Sequence, residues 1–518
     1  MIDLPTKSII TSFTAGTVDL ENIDTEEEGI IDQTSSLAAV PREPDGVTWI
    51  STEYFVTADE GDMDGGSRGF TIFDKSGNVV AGSGSEMDQL AASYGHYPEE
   101  RSGNKGSEPE NVAFGTFGGI DYLFVNAERS NLVFVYNIDN VMQPEFYQVL
   151  PTSVGPEGAL TIPSRNLLVV ACEKDDRGDA FRSTLSIYEY GSDKKRYPTI
   201  MSLRDEGTGV AIPWSAMSGL SRGHNKRTLY AVEDSFYASS RFFTIDISRK
   251  PYIVSSATNI LDSDGVLASI ATDGEFTDDS LADMINDDST VNLDPEGIAR
   301  DNRDGSLWIV SEGKGTKGEG EEITSINLIL NVDADTGVIK KVVQLPDSIA
   351  DAQLKWGLEG IAYFGGRIVV CLQRAWQGMT NPKILVYDID LGLWTLVVDY
   401  PLDAVESSAG GWVGLADITA VSKHKLYVLE RDNQGNKDAA VKRVYCINLK
   451  RAKFGDVLSK KLVVDLLPTL QQKTQGLVPE KIEGLAWINR RNLYLINDND
   501  GVDDNNGETN LWNLATLL

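Results

Sequence analysis

A short acidic hairpin motif recurs eight times along the chain and constrains its fold more than any other feature. It is clearest in DPEGIARDNRDGSLWIVSE (294–312), where a carboxylate opens one apolar strand and a second strand ends on another carboxylate. In an antiparallel hairpin the start of the first strand lies beside the end of the second, so both acidic positions share one edge of the sheet. Related segments occur at 44–60, 108–128, 156–173, 218–233, 358–373, 414–430 and 482–498.

The spacing of these repeats predicts the architecture. Successive repeats begin 47 to 78 residues apart, which is enough for four short strands and their turns. β-branched runs such as LVFVYNI and KILVYDI follow the hairpins and supply further strands. Such repeats are typical of propeller blades. We therefore predict an all-β chain whose residues 1–518 form a single β-propeller domain of four-stranded blades, eight in number and within a range of seven to nine. A spare N-terminal strand would complete the last blade.

The charge of the chain limits its partners. There are 78 acidic and 46 basic residues, and the formal net charge is −32. Such a surface opposes binding to the phosphates of nucleic acid and to anionic lipid. We therefore expect no nucleic-acid partner and no membrane partner.

Several common chemistries have no support in the sequence. The three cysteines all lie in apolar strand-like runs, which predicts unpaired thiols at Cys172, Cys371 and Cys446. The histidines have no zinc-binding spacing, at His96, His224 and His424. No nucleophile elbow and no P-loop is present. No apolar run approaches the roughly 20 residues of a membrane span, and the N-terminus has no apolar leader core. The chain is then either cytosolic or a mature form.

The repeated carboxylates are the candidate metal ligands. The first strand of a propeller blade lines the central channel, so one tier would contain Glu110, Glu157, Glu296, Glu359, Asp417 and Glu483. A second tier across the hairpins would contain Glu60, Glu128, Glu173, Glu233, Glu312, Glu430 and Asp498. Crowded carboxylates raise one another's pKa unless a cation is present, and Ca²⁺ takes about six to eight oxygen ligands. The alternative interpretation is that each carboxylate holds backbone amides of the adjacent blade.

Two acidic loops and several basic residues complete the set of candidates. NDNDGVDDNNGET (497–509) offers Asp498, Asp500, Asp503 and Asp504, and a weaker loop at 58–66 offers Asp62 and Asp64. The predicted calcium ligands are Glu110, Glu157, Glu296, Glu312, Glu359, Asp417, Glu430, Glu483, Asp498 and Asp500. Basic residues beside the second tier would either pair with carboxylates or grip an anionic substrate, namely Lys174, Lys314, Arg129, Arg374 and Arg431.

At these motifs the chain resembles two related propeller families. Residues 294–518 resemble the family named for the esterase-like activity of phytase, through DPEGIARDNRDGSLWIVSEG, GLEGIAYFGGRIVV, VLERDNQGNKDAAVKRVYCINL and KIEGLAWINRRNLYLINDND. Residues 1–293 are similar to the choice-of-anchor I propellers, themselves likened to alkaline phosphatases, through PDGVTWISTEYFVTADEGD, GSEPENVAFGTFGGIDYLFVNAERSNLVFVYNI and GPEGALTIPSRNLLVVACE. The resemblance implies a propeller with phosphatase or esterase activity. Three positions depart from the repeat, with Ser218 and Gln373 at carboxylate positions and Asp417 in place of Glu.

The leading functional hypothesis is a calcium-dependent hydrolase of phosphate esters. Metal ions neutralise phosphoryl charge and lower the pKa of bound water. The expected catalytic residues are Glu296, Glu359, Glu483 and Arg431, acting in a monomer on a small-molecule phosphate ester. An extracellular or periplasmic location is expected, with a cytoplasmic one left open. Two alternatives remain: a non-enzymatic secreted or surface propeller that binds a ligand or protein and uses calcium structurally, and a carboxyl-ester or lactone hydrolase.

Overall fold

The computed structural model describes residues 1–61, 63, 65–175, 182–191, 196–204, 208–318, 320–502 and 505–514. The predicted all-β class is confirmed, because consecutive strands pair antiparallel in sheets, many of which contain four strands. Contacts divide the chain into two compact units. Unit 1 comprises Met1–Ser215 with Asn499–Glu508, and unit 2 comprises Ala216–Asp498 with Thr509–Leu518. The boundary between the units at 215/216 differs from the 293/294 boundary between the two family resemblances.

Unit 1 is built from hairpins and antiparallel sheets. Strands β5 to β8, β9 to β12 and β13 to β15 form three of the sheets, and β1–β2 and β3–β4 are hairpins. The strands are β1 (Ile2–Asp3), β2 (Ser8–Ile9), β3 (Thr17–Ile23), β4 (Ser35–Pro41), β5 (Pro44–Trp49), β6 (Tyr54–Asp59), β7 (Gly69–Asp74), β8 (Val79–Gly82), β9 (Pro109–Phe117), β10 (Ile120–Ala127), β11 (Leu132–Asn137), β12 (Glu145–Pro151), β13 (Pro156–Ile162), β14 (Leu167–Cys172), β15 (Thr184–Glu189) and β16 (Ile200–Ser202). One α-helix, α1, and three 3₁₀ turns complete it, at Glu86–Tyr94, Glu99–Arg101, Pro163–Arg165 and Asp500–Val502.

Unit 2 contains five consecutive groups of antiparallel strands. The first two groups are β17 (Met217–Arg222), β18 (Thr228–Glu233), β19 (Arg241–Asp246) and β20 (Tyr252–Asn259), then β21 (Pro295–Arg300), β22 (Leu307–Ser311), β23 (Leu328–Val332) and β24 (Ile339–Gln344). The other three are β25 (Leu358–Phe364), β26 (Arg367–Leu372), β27 (Lys383–Asp388) and β28 (Leu393–Asp399), then β29 (Val413–Ala420), β30 (Lys425–Asp432), β31 (Lys442–Asn448) and β32 (Lys461–Asp465), then β33 (Ile482–Asn489), β34 (Asn492–Asn497) and β35 (Leu511–Asn513). The short helices are α2 (Asp278–Ala282), α3 (Asp347–Ala350) and α4 (Leu467–Lys473), with a 3₁₀ turn at Asn436–Asp438.

The first strands of these five groups contact one another in a closed cycle. The order is β17, β21, β25, β29, β33 and back to β17. Glycines permit the close approach, since a Cβ atom added to Gly360 would lie 2.7 Å from the Cα of Asp417. A Cβ on Gly484 would lie 2.5 Å from the carbonyl oxygen of Ser218, which is where the cycle closes. Unit 2 is therefore a five-sheet cycle, and the predicted single ring of eight blades is not confirmed. The N-terminal β3 pairs with β4, and β35 supplies the third strand of the last sheet.

Hydrophobic side chains of unit 2 fill the spaces between neighbouring sheets. Adjacent residues on one strand face opposite sides, as in β22, where Ile309 packs with Phe242 and Trp308 packs with Val370. Fully burying a side chain of this size is worth about 1.5–3 kcal/mol. The alternation of apolar residues in the hairpin motif therefore stabilises two interfaces at once.

The cysteines and the helices are the remaining features that bear on the sequence analysis. The three cysteines are unpaired, with Cys172 and Cys371 buried and Cys446 half-buried, as predicted. Within the residues that the structure describes, no helix has the length and apolar character needed to cross a membrane.

Candidate functional site

A β-bulge positions the first acidic residue in three hairpin motifs of unit 2. In unit 2 the strand register shifts around Glu296, Glu359 and Glu483, so each of these residues lacks a partner in the ladder. A bulge bends the strand and redirects the side chain of the extra residue. The following glycine allows the neighbouring sheet to approach closely. The E-G pair of the motif therefore serves two purposes, orientation of a carboxylate and packing of the next sheet.

The fourth sheet departs from this arrangement by one residue. Its register shift lies between Leu415 and Asp417, so Ala416 occupies the bulge. Asp417 lies one position further along, where its carboxylate accepts hydrogen bonds from the amides of Ile418 at 2.7 Å and Leu485 at 2.6 Å. Burial holds the pKa of Asp417 well above its usual value. The structure thus places Asp417 as a link to the adjacent sheet and does not group it with the other first-tier carboxylates.

The same offset removes Glu430 from the second tier. Glu430 pairs with Leu415 in the strand register, and Arg431 takes the position that Glu312 has in the second sheet. The Glu430 carboxylate accepts hydrogen bonds from Tyr400 Oη at 2.9 Å and Lys460 Nζ at 2.7 Å. Since side chains alternate along a strand, an offset of one residue moves the side chain to the other face. Glu430 is therefore part of a separate buried ion pair.

Three carboxylates of the second sheet converge and are called the acidic cluster below. Asp294, Glu296 and Glu312 each offer an oxygen atom within 4.8 Å of the others. The hairpin thus brings its two acidic ends together, as expected from strand direction. Among the described residues, no Lys or Arg nitrogen lies within 4.0 Å of these carboxylates.

The hydrogen bonds of the acidic cluster come from neutral donors. Ser218 Oγ donates to Glu296 Oε2 at 2.6 Å, and the amide of Ser235 donates to Asp294 Oδ1 at 3.1 Å. The amide of Gly357 donates to Glu312. These contacts orient the carboxylates without neutralising them. Ser218, which departs from the acidic pattern, therefore has a defined role as a donor to Glu296.

The acidic cluster holds its protons more tightly than isolated carboxyls do. Desolvation, followed by the charge of Glu359, raises the pKa of Glu296 well above its usual value. Desolvation and Asp294 raise the pKa of Glu312 to about 7. The pKa of Asp294 is raised by desolvation as well. Each side chain is half-buried, so it keeps some contact with solvent while the protein removes much of its hydration. A cation in the cluster would favour the ionised carboxylates and release these protons.

Two further predicted residues, Glu483 and Arg431, form a buried ion pair. The Nη2 atom of Arg431 donates to Glu483, and its Nε lies 3.4 Å from Glu483 Oε2. Arg431 is only 4% exposed, yet its Nη1 atom has no hydrogen-bond partner among the described residues. A buried N–H group without a partner costs stability, so an arginine in this state is ready to bind an anion.

The charges that act on Glu359 come both from the acidic cluster and from the Arg431–Glu483 ion pair. The Nε2 atom of Gln373 donates to the Glu359 carboxyl group. Desolvation and then Glu483 raise the pKa of Glu359 well above its usual value. Gln373, the second departure from the repeat, therefore contacts a carboxyl group whose pKa is raised.

The predicted ligands Glu110 and Glu157 belong to a second group of carboxylates, in unit 1. Glu110, Glu128 and Glu157 offer oxygen atoms within 4.8 Å of one another, and Glu60, Glu108 and Glu110 form an overlapping set. The pKa of Glu110 is raised to about 9, chiefly by desolvation. Cations accompany this group, since Lys105 Nζ lies 2.7 Å from Glu60 and Arg129 Nη1 lies 3.2 Å from Glu128. The described residues of unit 1 therefore contain converging carboxylates, as those of unit 2 do.

The acidic loop after β34 is only partly described. Asp498 accepts a hydrogen bond from Lys481 Nζ at 3.1 Å, and the same nitrogen lies 3.9 Å from Asp234. Asp500 begins the 3₁₀ turn counted with unit 1. The loop candidates that lie outside the described residues are Asp62, Asp64, Asp503 and Asp504.

The donor set of the acidic cluster fits a hard divalent cation. All of its donors are carboxylate oxygens, and their separation is compatible with one ion bound at 2.3–2.6 Å from each. Sequence reasoning missed Asp294 as a ligand, although it is the first letter of the DPEG motif. It also missed Trp356 and Trp412, whose rings lie 4.2 Å and 5.1 Å from the Cζ atom of Arg374.

Comparisons with known proteins match this division of the chain. The family model described as esterase-like activity of phytase matches residues 212–501, more than half of the 518 residues. The choice-of-anchor I domain model matches residues 63–141, so both sequence resemblances are confirmed. No curated protein matches the chain.

The solved structures that the chain matches are distant in sequence and have low TM-scores. The hydrazine synthase of Kuenenia stuttgartiensis is 13% identical with a TM-score of 0.28, over 79% of this chain and 96% of that chain. The β-propeller domain of the Trilobed protease from Pyrococcus furiosus is 10% identical with a TM-score of 0.25, over 75% of this chain and 91% of that chain.

Proposed function

Since the chain belongs to the family described as esterase-like activity of phytase, we propose that it is a calcium-dependent hydrolase of small phosphate esters. The family itself suggests a hydrolase, and its match nearly coincides with unit 2. The observation that carries the proposal is the acidic cluster, three carboxylates without a cationic partner in the same unit as the unpartnered Nη1 atom of Arg431.

Asp294, Glu296 and Glu312 would hold the cation. Their oxygen-only donor set suits calcium better than softer metals. A bound calcium ion would neutralise phosphoryl charge and lower the pKa of a coordinated water molecule. A protein with a net charge of −32 otherwise repels a phosphate, so the cation also makes substrate binding favourable.

Arg431 would bind the phosphate through its Nη1 atom. Its Nη2 and Nε atoms are held by Glu483, which makes Glu483 a positioning residue for the guanidinium group. Because both partners are buried, the arginine loses little side-chain freedom when an anion binds. A charge-assisted hydrogen bond to a phosphoryl oxygen would strengthen as negative charge develops there.

Glu359 would act as the general acid. Desolvation raises its pKa well above the usual value, which favours the protonated form, and the contact with Gln373 Nε2 fixes its orientation. When the ester bond breaks, Glu359 would donate this proton to the leaving-group oxygen. The same carboxylate would recover a proton from solvent before the next reaction.

We also propose a location and an oligomeric state for the protein. We place it outside the cytoplasm, in the extracellular or periplasmic space, a proposal supported by the choice-of-anchor I match. Extracellular calcium modules bind with dissociation constants of about 10⁻⁴–10⁻³ M, which a cluster of three carboxylates can reach. The chain is proposed to act as a monomer with a small-molecule partner.

The test is phosphate release from a panel of phosphomonoesters, with calcium and with chelator. Glu296→Gln should lower calcium affinity and turnover together, whereas Glu359→Gln should lower turnover and retain calcium affinity. Glu321→Gln is the matched control, because Glu321 is exposed and its carboxylate pairs with the exposed Lys355. Absence of calcium-dependent release from every ester overturns the hydrolase. Calcium binding that Glu296→Gln abolishes, without any hydrolysis, would instead support a binding module with structural calcium.

A further inference from the structure

Arg374 is a cation without an anionic partner in a strongly acidic chain. Its half-buried guanidinium group has neither a salt bridge nor a hydrogen bond to any described residue. Instead its Cζ atom lies 4.2 Å from the ring centroid of Trp356 and 5.1 Å from that of Trp412. Stacking on aromatic rings holds the guanidinium plane and leaves its N–H edge available for an oxyanion.

The backbone fixes Trp356 in this position at some cost. Trp356 has a φ angle of +67°, a left-handed conformation that is a genuine outlier for a bulky residue. The amide of the next residue, Gly357, donates to the Glu312 carboxylate, and the Trp356 carbonyl accepts a hydrogen bond from Trp376 Nε1 at 3.2 Å. Conformations of this kind persist where the surroundings over-determine them, often at ligand sites. The residue that stacks on Arg374 is thus linked to the acidic cluster through the adjacent Gly357.

Trp412 connects Arg374 to the other proposed substrate contacts. Its ring lies 5.3 Å from the Cζ atom of Arg431, so both guanidinium groups flank the same indole. A Cβ atom added to Gly414 would lie 2.9 Å from the Trp412 ring and 3.0 Å from Cγ of Gln373, the residue that contacts Glu359. The Arg374 patch is therefore linked to Glu312 through Gly357 and to Glu359 through Gln373.

We propose that Arg374, with Trp356 and Trp412, forms an anion-binding subsite that takes a second oxyanion of the substrate, a carboxylate or phosphate on its leaving group. The phosphate to be cleaved would lie at Arg431 and the acidic cluster, and the second anion would lie at Arg374. The assignment to a substrate rests on the proposed function, whereas anion binding at Arg374 does not. The substrate class is then a phosphate ester that carries two anionic groups.

The first experiment tests binding without catalysis. Benzoate, a planar carboxylate, is titrated into the full chain in the presence of chelator while tryptophan fluorescence is recorded, with benzyl alcohol as the neutral analogue. The wild type should show a saturable change with benzoate only. Arg374→Gln should weaken binding about tenfold or more, because a charge-assisted hydrogen bond is lost. Arg367→Gln is the control, since Arg367 lies on the same sheet and pairs with Asp388.

A second variant guards against a folding defect in the first. Arg374→Lys keeps the charge and loses the planar fork, so it should bind benzoate with intermediate affinity. An unchanged benzoate response in Arg374→Gln overturns the subsite, and so does the absence of a response in the wild type. A response that Arg367→Gln abolishes equally would also overturn it.

The second experiment uses the reaction. With 4-carboxyphenyl phosphate and phenyl phosphate as substrates, the wild type should show about a tenfold lower KM for the carboxylated ester. Arg374→Gln should remove this preference, whereas the control Arg367→Gln should retain it. Benzoate binding without phosphate release would support the subsite and overturn the hydrolase. Phosphate release with no preference and no benzoate response would support the hydrolase and overturn the subsite.

Discussion

Replacing Glu312 by Gln removes one negative charge from the acidic cluster while nearly preserving the volume of the side chain. The pKa of Glu312 is about 7 in the folded chain without a cation, against a usual value of 4.5. The folded state therefore binds this proton more tightly than the unfolded state does. Its contribution to stability is complete below pH 4.5 and is lost as the pH rises through about 7.

The size of this effect follows from the pKa difference. The rise of the Glu312 pKa from 4.5 to about 7 corresponds to a loss of about 3 kcal/mol of folding stability at pH 8. The remaining solvent contact of Glu312 reduces this loss to about 2 kcal/mol. Glutamine cannot ionise, and its amide oxygen can still accept the hydrogen bond from Gly357. In chelator at pH 8 the Glu312→Gln variant should therefore melt roughly 4 °C higher than the wild type. Near pH 4.5 the difference should vanish.

Calcium should reverse the order of the two melting temperatures, so that the wild type melts above Glu312→Gln. A ligand at 100 times its dissociation constant stabilises the folded state by about 2.7 kcal/mol, and the variant should lose most of that gain. The assay is thermal unfolding by circular dichroism at both pH values, with calcium and with chelator, and Glu321→Gln as the control. A variant that melts below the wild type in chelator at pH 8, with calcium stabilisation intact, would refute the reasoning. Glu312 would then act only as an acceptor for backbone amides.

Three other substitutions test the assignments made from strand register. Asp417→Asn should lower the free energy of unfolding in urea by about 1–3 kcal/mol and leave calcium affinity by calorimetry unchanged, because its carboxylate binds amides; full stability would contradict that role. Glu430→Gln should lower stability through its ion pair with Lys460 and leave phosphate release per folded molecule unchanged, and a loss of activity would return Glu430 to the site. Gly360→Ala should destabilise the chain by about 1–3 kcal/mol through crowding, measured against Gly274→Ala, whose added methyl group contacts nothing within 4 Å; equal stabilities would contradict the close sheet approach.

The strands and their hairpins could be predicted from the sequence because their signals are local. Alternating apolar residues and a turn delimit β21 (Pro295–Arg300) and β22 (Leu307–Ser311) inside the motif at 294–312. The pairing of two adjacent strands then follows from the turn, and the meeting of Glu296 with Glu312 follows from the pairing. These inferences needed no knowledge of distant residues.

The bulge could not be read from the motif. One extra residue in a strand leaves the hydrophobic pattern recognisable and changes which side chain faces the site. For this reason the motif predicts Asp417 in a tier where the structure has Ala416, and it predicts Glu430 where the structure has Arg431. Closure of the cycle was equally hidden, because counting repeats does not show which repeat Gly484 contacts.

The closing strand β35 (Leu511–Asn513) affects when unit 2 can complete its folding and where an expression fragment of it can end. It pairs with β34 (Asn492–Asn497), although the intervening residues 499–508 belong to unit 1. Its Trp512 packs against Leu493 and Leu495. During translation the other strands of unit 2 leave the ribosome before β35 does. An expression fragment that stops at residue 501, where the family match ends, would expose a bare strand edge that invites aggregation. The boundary of a soluble fragment therefore lies beyond Asn513 and is set by a strand that the family match does not include.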